Sequence, residues 1–477
     1  MYWIVLVVSF CSGDNGFDGT VMSSINSMKQ YQHYFGMSSS GAKTGIVFGI
    51  FTIGSLCGVI PSAILPDKFG RRFTMFFGNA VLIVGALITG TAKTKGAFIG
   101  GRFLTGLGSA TANAGAKSYL GEITPPQTRG LFLGFQNSFY YVGQLVATGM
   151  AVSTGRWSSE WSWRLPLFVQ MVPALLNAVF VFFLPESPRW LHSRGKQEQA
   201  RQILANLHSS TGDAKSPLVE LEIEEIEEKI AIDGSDKRWW DFRSLFRTAA
   251  DRYRAGMVIL MGSFGQLSGN GMVTYFLPVL LKNAGILDQN KQLTLTFVNS
   301  VTSWIGALTG SAVVDRVGRR RILLISTSGL VVILAIVSGL LSTNDGNAAR
   351  ANAGISFIYL FMVVFSFGWT PMQGVYATEC LAYEARAKGL AFYNLVAQAS
   401  SCINTFGLPV ALQKLGWKVY VIFLVWDVFE VVIVYIFAVE TKGLTLEEID
   451  EVFNQPNPRK YSVEHRFKFK ANKNLPV

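Results

Sequence analysis

Two residues of opposite charge stand inside otherwise apolar stretches, Asp18 in the first of them and Arg102 in the fourth. Asp18 lies about eight residues before the outer end of its stretch and Arg102 about five after the outer end of its own. At ~1.5 Å of rise per helical residue both sit roughly 8–12 Å below one membrane surface. An ion at that depth needs a partner, and the two are level enough to supply one to each other. A carboxylate beside a guanidinium stays ionised, and one drawn away from it into apolar surroundings takes up a proton, so such a pair offers reversible proton binding. A static buried ion pair is the alternative. No histidine competes for the task, because His33, His192, His208 and His465 fall in loops or the tail. Asp14, Asp427 and Glu430 are also intramembrane acids, the last two spaced to share a helix face, but no role can be assigned to them. Lys117, near the inner end of its stretch, is expected to snorkel. No nucleophile–base pair or metal-ligand set occurs at this depth, so neither an enzyme, a cofactor nor a metal is expected.

The elements that hold these residues are oily. Hydrophobic residues make up 50% of the 477 and charged ones 15%, which points to lipid as the main solvent. Twelve stretches reach the roughly 20 apolar residues that a bilayer span needs: 2–26, 44–65, 73–91, 97–120, 130–153, 164–184, 255–281, 293–314, 321–342, 353–377, 388–412 and 418–438. The first is no cleaved signal, since it lacks a basic start and carries Asp14, Asn15 and Asp18. It begins almost at Met1, and a short cytosolic tail is expected ahead of it. Cys11, Cys57, Cys380 and Cys402 lie in or beside spans without ligand spacing and are expected to pack without a disulfide. The net charge of +11 resides in loops, which suits anionic lipid rather than nucleic acid. With the N-terminus in the cytosol, 29 Lys and Arg face inward and 11 outward, so both termini are expected there.

The chain also repeats itself. Asp67, Gly70, Arg71 and Arg72 recur as Asp315, Gly318, Arg319 and Arg320 at an offset of 248. Glu122 and Arg129 recur as Glu379 and Arg386 at 257, and Glu186 as Glu440 at 254. Three pairs on one membrane face imply a duplicated six-span unit, the design by which many transporters surround a central site with two halves that rock. The expected fold is therefore all-α and polytopic. Its domains are an N-terminal six-helix half (1–184), a cytosolic linker with short helices (185–254), a C-terminal six-helix half (255–438) and a cytosolic tail (439–477). In the linker, Lys196–His208 and Pro217–Ile232 read as helices. Trp239, Trp240, Phe242, Leu245 and Phe246, interleaved with Arg238, Arg243 and Arg247, suit a helix lying on the membrane surface. A partly ordered linker is the alternative. The tail is expected to be mostly disordered after Glu447 and Glu448.

The motifs "DKFGRR", "GRFLTG", "GEITPPQTRG", "PESPRW", "DRVGRR" and "VETKG", in this order along nearly the whole chain, resemble the sugar porter family of the major facilitator superfamily. Within it, "GFDGTVMSSIN", "QLSGNGMVTYFLP" and "GWTPMQGVYATE" look most like the fungal lactose and cellodextrin permeases. The resemblance implies the major facilitator fold and makes Asp18 and Arg102 the proton-coupling pair. It also implies a cytosolic gate of Asp67, Arg71, Arg72, Glu122, Arg129, Glu186, Arg189, Asp315, Arg319, Arg320, Glu379, Arg386 and Glu440. Their ion pairs and helix-end contacts would part when the inner face opens; simple anchoring of arginines to lipid is the bland alternative.

A sugar presents hydroxyls in every direction, so its site needs several amides and an aromatic face. The candidates are Gln136, Asn137, Gln144, Gln266, Asn270, Tyr275, Asn299, Gln373, Gln398 and Asn404. About half should touch ligand, because intramembrane amides also bridge helices. Gln266 is the firmest. Relative to hexose porters of the family, Gly265 replaces a glutamine, Gly271 an asparagine, Gly374 a tryptophan and Asn137 a glutamine. Each change removes bulk, which leaves room for a second sugar ring unless aromatics such as Trp369 or Phe367 refill it. The resulting expectation is proton-coupled uptake of a disaccharide such as lactose or cellobiose, or of a hexose, by a monomer in the plasma membrane. A proton-independent hexose uniporter and a non-transporting sugar receptor are the alternatives.

Overall fold

The structure, a computed structural model, describes every residue except 126–127, 209–215, 217–218, 225, 228–241, 343–347, 383–385, 445 and 465–477. Two compact units divide the chain. One is Met1–Ser38 with Ile46–Trp239, the other Ser39–Gly45 with Trp240–Val477. Among the described residues all regular structure is helical, and most of it forms twelve spans.

Spans 1 to 6 are Tyr2–Ser27, Ala42–Phe69, Arg71–Thr91, Lys95–Ile123, Arg129–Thr154 and Trp161–Phe183. Span 7 is broken into Ala249–Leu267 and Asn270–Asn283. Spans 8 and 9 are Gln289–Val317 and Arg319–Ser342. Span 10 is broken into Ala348–Gly368 and Val375–Cys380, and Arg386–Leu415 and Lys418–Phe437 are spans 11 and 12. Seven described helices are long and apolar enough by themselves to cross a membrane. Span 1 is diluted by Asp14, Asn15 and Asp18, and spans 7 and 10 are interrupted.

Glycine sets the packing in the first unit. A Cβ on Gly78 or Gly85 of span 3 would strike the backbone of span 4 around Gly108 and Thr105, so the two helices lie with their backbones almost touching. Gly54 and Gly106 do the same for spans 2 and 4, and Gly16 and Gly143 for spans 1 and 5. The glycines of "GRFLTG" thus fix span 4 on two sides and set the depth of Arg102. In the second unit, Gly306 and Gly310 bring span 8 against span 10, and the Ser326 hydroxyl donates to the Val364 carbonyl (2.8 Å) to join spans 9 and 10.

Both breaks have local causes. Span 7 ends at Leu267, and Gly269 turns the chain at φ +87°, a conformation that residues with a Cβ rarely adopt. Span 10 ends before Pro371, and its second piece starts after Gly374 at φ +82°. These interruptions were invisible in the continuous apolar stretches 255–281 and 353–377.

Outside the spans, the helix Gln197–His208 forms as expected, and residues 219–224 are helical. Trp239, Trp240 and Arg238 lie outside the described residues. Just beyond them Arg243–Phe246 form a 3₁₀ turn, whose Leu245 is buried against Ala255, Val258, Ala377 and Leu381. This part of the linker therefore packs on protein instead of forming the expected surface helix.

The tail corrects the sequence reading more sharply. Leu446–Phe453 and Pro458–Glu464 are helices, with Ile449, Val452, Phe453 and Ser462 buried. Arg254, at the start of span 7, donates to Asp450 (2.5 Å) and stacks over Phe453 (4.9 Å). The tail up to Glu464 is anchored because its apolar residues, spaced three and four apart among acids, form one buried face.

Candidate functional site

Asp18 and Arg102 meet. Arg102 Nη1 donates to Asp18 Oδ1, and the residues are 1% and 2% exposed. The guanidinium also lies over the Phe51 ring, 4.7 Å from its centroid, so one face of the cation is covered by a π-system and its edge by the carboxylate. The Thr105 hydroxyl, one turn along, donates to the Arg102 carbonyl (2.9 Å). Asp14, one turn from Asp18 on the same helix, is buried as well. A buried pair of this kind holds its charges only while the two stay together, because a lone ion in a dry interior is far more costly than a paired one.

At the ends of the spans the duplicated charges build two matching networks, each within its own unit. In the first, Arg71 Nη2 donates to Glu122 Oε1 and Arg71 Nε lies beside Glu122 Oε2, both at 2.8 Å. Glu186 Oε1 accepts from the backbone N–H groups of Arg71 (3.2 Å) and Ser187 (2.8 Å), capping the start of span 3. The side chain of Arg72 reaches the carbonyls of Val181 (3.1 Å) and Phe182, at the end of span 6. In the second, Arg319 Nη2 donates to Glu379 Oε1 (2.9 Å), Glu440 Oε1 accepts from the Arg319 backbone N–H (2.9 Å), and Arg320 Nη2 donates to the Tyr435 carbonyl (2.9 Å). Gly70 and Gly318 start the second helix of each turn at φ +95° and +109°. A Cβ there would lie 2.6 Å from the carboxylate of Glu186 or Glu440 respectively.

Sequence reasoning missed the hydroxyls of this network. Ser187 Oγ donates to Glu122 Oε2 and Thr441 Oγ1 to Glu379 Oε2, both at 2.5 Å. Tyr119 and Tyr376 donate to the Pro185 and Val439 carbonyls, both at 2.6 Å. The available signal was the repeat itself, since the first pair recurs at an offset of 254 and the second at 257. Asp67 reaches Arg71 at 3.2 Å but is mostly exposed, and Arg189 is half-buried on the helix Pro188–Ser193. The side chains of Arg129, Asp315 and Arg386 lie outside what the structure describes.

The amide candidates divide. In the first unit Gln136 is buried and donates to Asn113 Oδ1 (3.1 Å), an unforeseen partner; Gln144 is buried and Asn137 exposed. In the second unit Gln266, Asn270, Tyr275 and Gln398 are half-buried and Asn299 is buried; Asn270 Oδ1 and Asn299 Oδ1 have no hydrogen-bond partner among the described residues. Gln373 and Asn404 are engaged, the first donating to the Gly265 carbonyl (3.2 Å) and the second to the Gln266 carbonyl. Their amides also occupy the glycine slots: a Cβ on Gly265 would lie 3.0 Å from Gln373 Nε2, and one on Gly271 3.2 Å from Asn404 Nδ2. Of the three glycine departures, Gly374 alone has open space where a Cβ would point. At Gly265 and Gly271 the expected room is taken by amides, not by the aromatics that were the alternative.

Residues 4–453 match the family described as sugar (and other) transporter. The chain belongs to that family. It is an integral, multi-pass sugar transporter of the major facilitator type and not an enzyme. It is 29% identical over 458 residues to a high-affinity glucose transporter of Kluyveromyces lactis, covering 92% of this chain and 82% of that one. Polyol transporter 5 of Arabidopsis thaliana is 27% identical over 436 residues, covering 86% and 79%. In fold, the transporter resembles the xylose transporter XylE from E. coli in an inward-open conformation, with a TM-score of 0.77 at 20% identity over 94% of this chain and 99% of that one. The proton:xylose symporter XylE bound to 6-bromo-6-deoxy-D-glucose gives a TM-score of 0.76 at 22% identity, covering 95% and 99%.

Proposed function

We propose that this transporter takes up a monosaccharide together with a proton by alternating access, with Asp18 as the proton acceptor and Arg102 as its counter-charge. The observation that carries the reading is the buried contact between the two, deep in a unit whose other intramembrane acid, Asp14, has no such base among the described residues. While Arg102 lies against Asp18 the carboxylate is ionised. Sugar binding that separates them leaves Asp18 in a dry setting, where it takes a proton, and the neutralised carrier reorients with both cargoes. A proton:sugar symporter shares this fold, which supports the same reading.

The monosaccharide assignment rests on the refilled pocket wall. Room for a second ring was expected from Gly265, Gly271 and Gly374, and Gln373 and Asn404 stand in the first two places. Relatives that are glucose and polyol transporters support the smaller cargo. Gln266, Asn270 and Asn299 are the side chains we assign to the sugar in the second half, Gln136 and Gln144 in the first. The Gly-Arg-Arg networks serve as the inner gate, with both termini in the cytosol, as the excess of inward Lys and Arg suggests.

The test is uptake of labelled glucose, xylose, lactose and cellobiose by cells that lack their own carriers, with and without a protonophore. Uptake of a monosaccharide that the protonophore abolishes supports the proposal. Uptake indifferent to the protonophore makes the protein a uniporter, and preference for a disaccharide overturns the pocket argument.

A further inference from the structure

An α-helix leaves its last four carbonyls without intrahelical donors, and inside a membrane no water relieves them. The first half of span 7 ends at Leu267, well within the second unit, so this problem arises at Phe264, Gly265, Gln266 and Leu267. The Phe264 carbonyl is taken by the Ser268 backbone N–H (3.1 Å). The next two are taken by side chains of other spans: Gln373, from the interruption in span 10, donates to Gly265, and Asn404, from span 11, donates to Gln266. A glycine stands wherever either amide needs room, Gly265 beneath Gln373 and Gly271 beneath Asn404, each amide nitrogen lying 3.0–3.2 Å from where a Cβ would be. Gly269 between them makes the turn at φ +87°.

We infer that Gln373 and Asn404 are positioning residues that staple the break in span 7, and that Gly265 and Gly271 are glycines because the staples occupy their side-chain space. Both were sequence candidates for direct sugar contact. Each instead commits an N–H donor to span 7, so they act on transport by setting the angle and mobility of the break that separates Gln266 from Asn270. Two donors from two different spans hold consecutive carbonyls of one turn, so bending at Gly269 changes both bonds together. The hinge reports to spans 10 and 11 at once.

Two near-isosteric variants that cannot donate, Gln373→Met and Asn404→Leu, test the assignment in the full-length transporter. Hydrogen–deuterium exchange is read over residues 264–272, alongside KM and maximal rate for labelled glucose. Staples predict faster exchange confined to the break and a maximal rate lowered about tenfold, the scale of one lost hydrogen bond, with KM changed less than about twofold. Should either variant fail to accumulate, Gly265→Ala and Gly271→Ala push the amides away while leaving every polar group in place, and they must show the same pattern. Unaltered exchange across the break overturns the inference. So does a raised KM at unchanged rate, which would make the amides sugar contacts. The exchange measurement requires no particular sugar and no proton coupling, so it stands or fails independently of the proposed function.

Discussion

The two halves of this transporter agree in the networks at their span ends and differ in their interior. At the Gly-Arg-Arg turns, Arg71, Glu122, Glu186, Ser187 and Tyr119 have counterparts in Arg319, Glu379, Glu440, Thr441 and Tyr376, with the same bonds drawn between them. Within the spans the first half joins Asp18 to Arg102. The second half buries Asp427 and Glu430 on span 12, where Glu430 accepts from the Trp426 indole N–H (2.6 Å) and both oxygens of Asp427 lack a hydrogen-bond partner among the described residues. What is duplicated holds helix ends in place, a need both halves share. What occurs once among the described residues, a compensated ion pair within the spans, is under the proposed mechanism the part of a step that one half performs.

That contrast can be broken or sharpened by mutation. Asp18→Asn carries the largest expected effect: accumulation against a gradient falls to equilibrium, an inside-to-outside sugar ratio of about 1, while exchange of labelled for unlabelled sugar persists. Next come the network arginines. Arg71→Ala leaves Glu122 buried without its counter-ion and should cost about 3–5 kcal/mol of stability in a detergent melt. Arg319→Ala should cost less, since its partner Glu379 is 22% exposed against 12% for Glu122. Gly70→Ala and Gly318→Ala should cost alike, about 1–3 kcal/mol each, because each combines a left-handed backbone with a carboxylate in the way of the new Cβ.

A smaller effect concerns pH. Burial holds the Glu186 carboxyl above its ordinary value, against the pull of the Ser187, Arg72 and Arg71 backbone N–H groups. Its contribution to stability is full below the ordinary carboxylate value of about 4.3 and is lost as pH rises through the raised one. Glu186→Gln, uncharged at every pH, should flatten that part of the stability profile. The smallest effects belong to Asp427→Asn and Glu430→Gln, which remove no ion pair; each should shift stability by less than about 1 kcal/mol and leave uphill accumulation intact. Loss of accumulation in either would erase the distinction between the halves.

The spans, the repeat and the Asp18–Arg102 contact were legible because hydrophobic length, recurring charges and helical rise are properties of the chain itself. The hydroxyls of Ser187, Thr441, Tyr119 and Tyr376 were missed, since an uncharged donor is marked by nothing but its recurrence at the offset of the repeat. The break at Gly269 was hidden because the apolar runs on either side of Gln266–Gly271 add up to one span length, and with it the engagement of Gln373 and Asn404, which depends on neighbours more than a hundred residues away in sequence. The tail was misread because Ile449, Val452 and Phe453 are a thin apolar stripe among acids, enough to dock a helix but too little to raise the local hydropathy.

Sugar-driven proton movement tests the central claim most directly. Purified transporter is placed in sealed vesicles without a membrane potential, a transported sugar is added outside, and the external pH is followed. The wild type should make the medium more alkaline as sugar and proton enter together, and Asp18→Asn should move labelled sugar with no pH change. Sugar entry without alkalinisation in the wild type, or undiminished alkalinisation in the variant, would contradict the account.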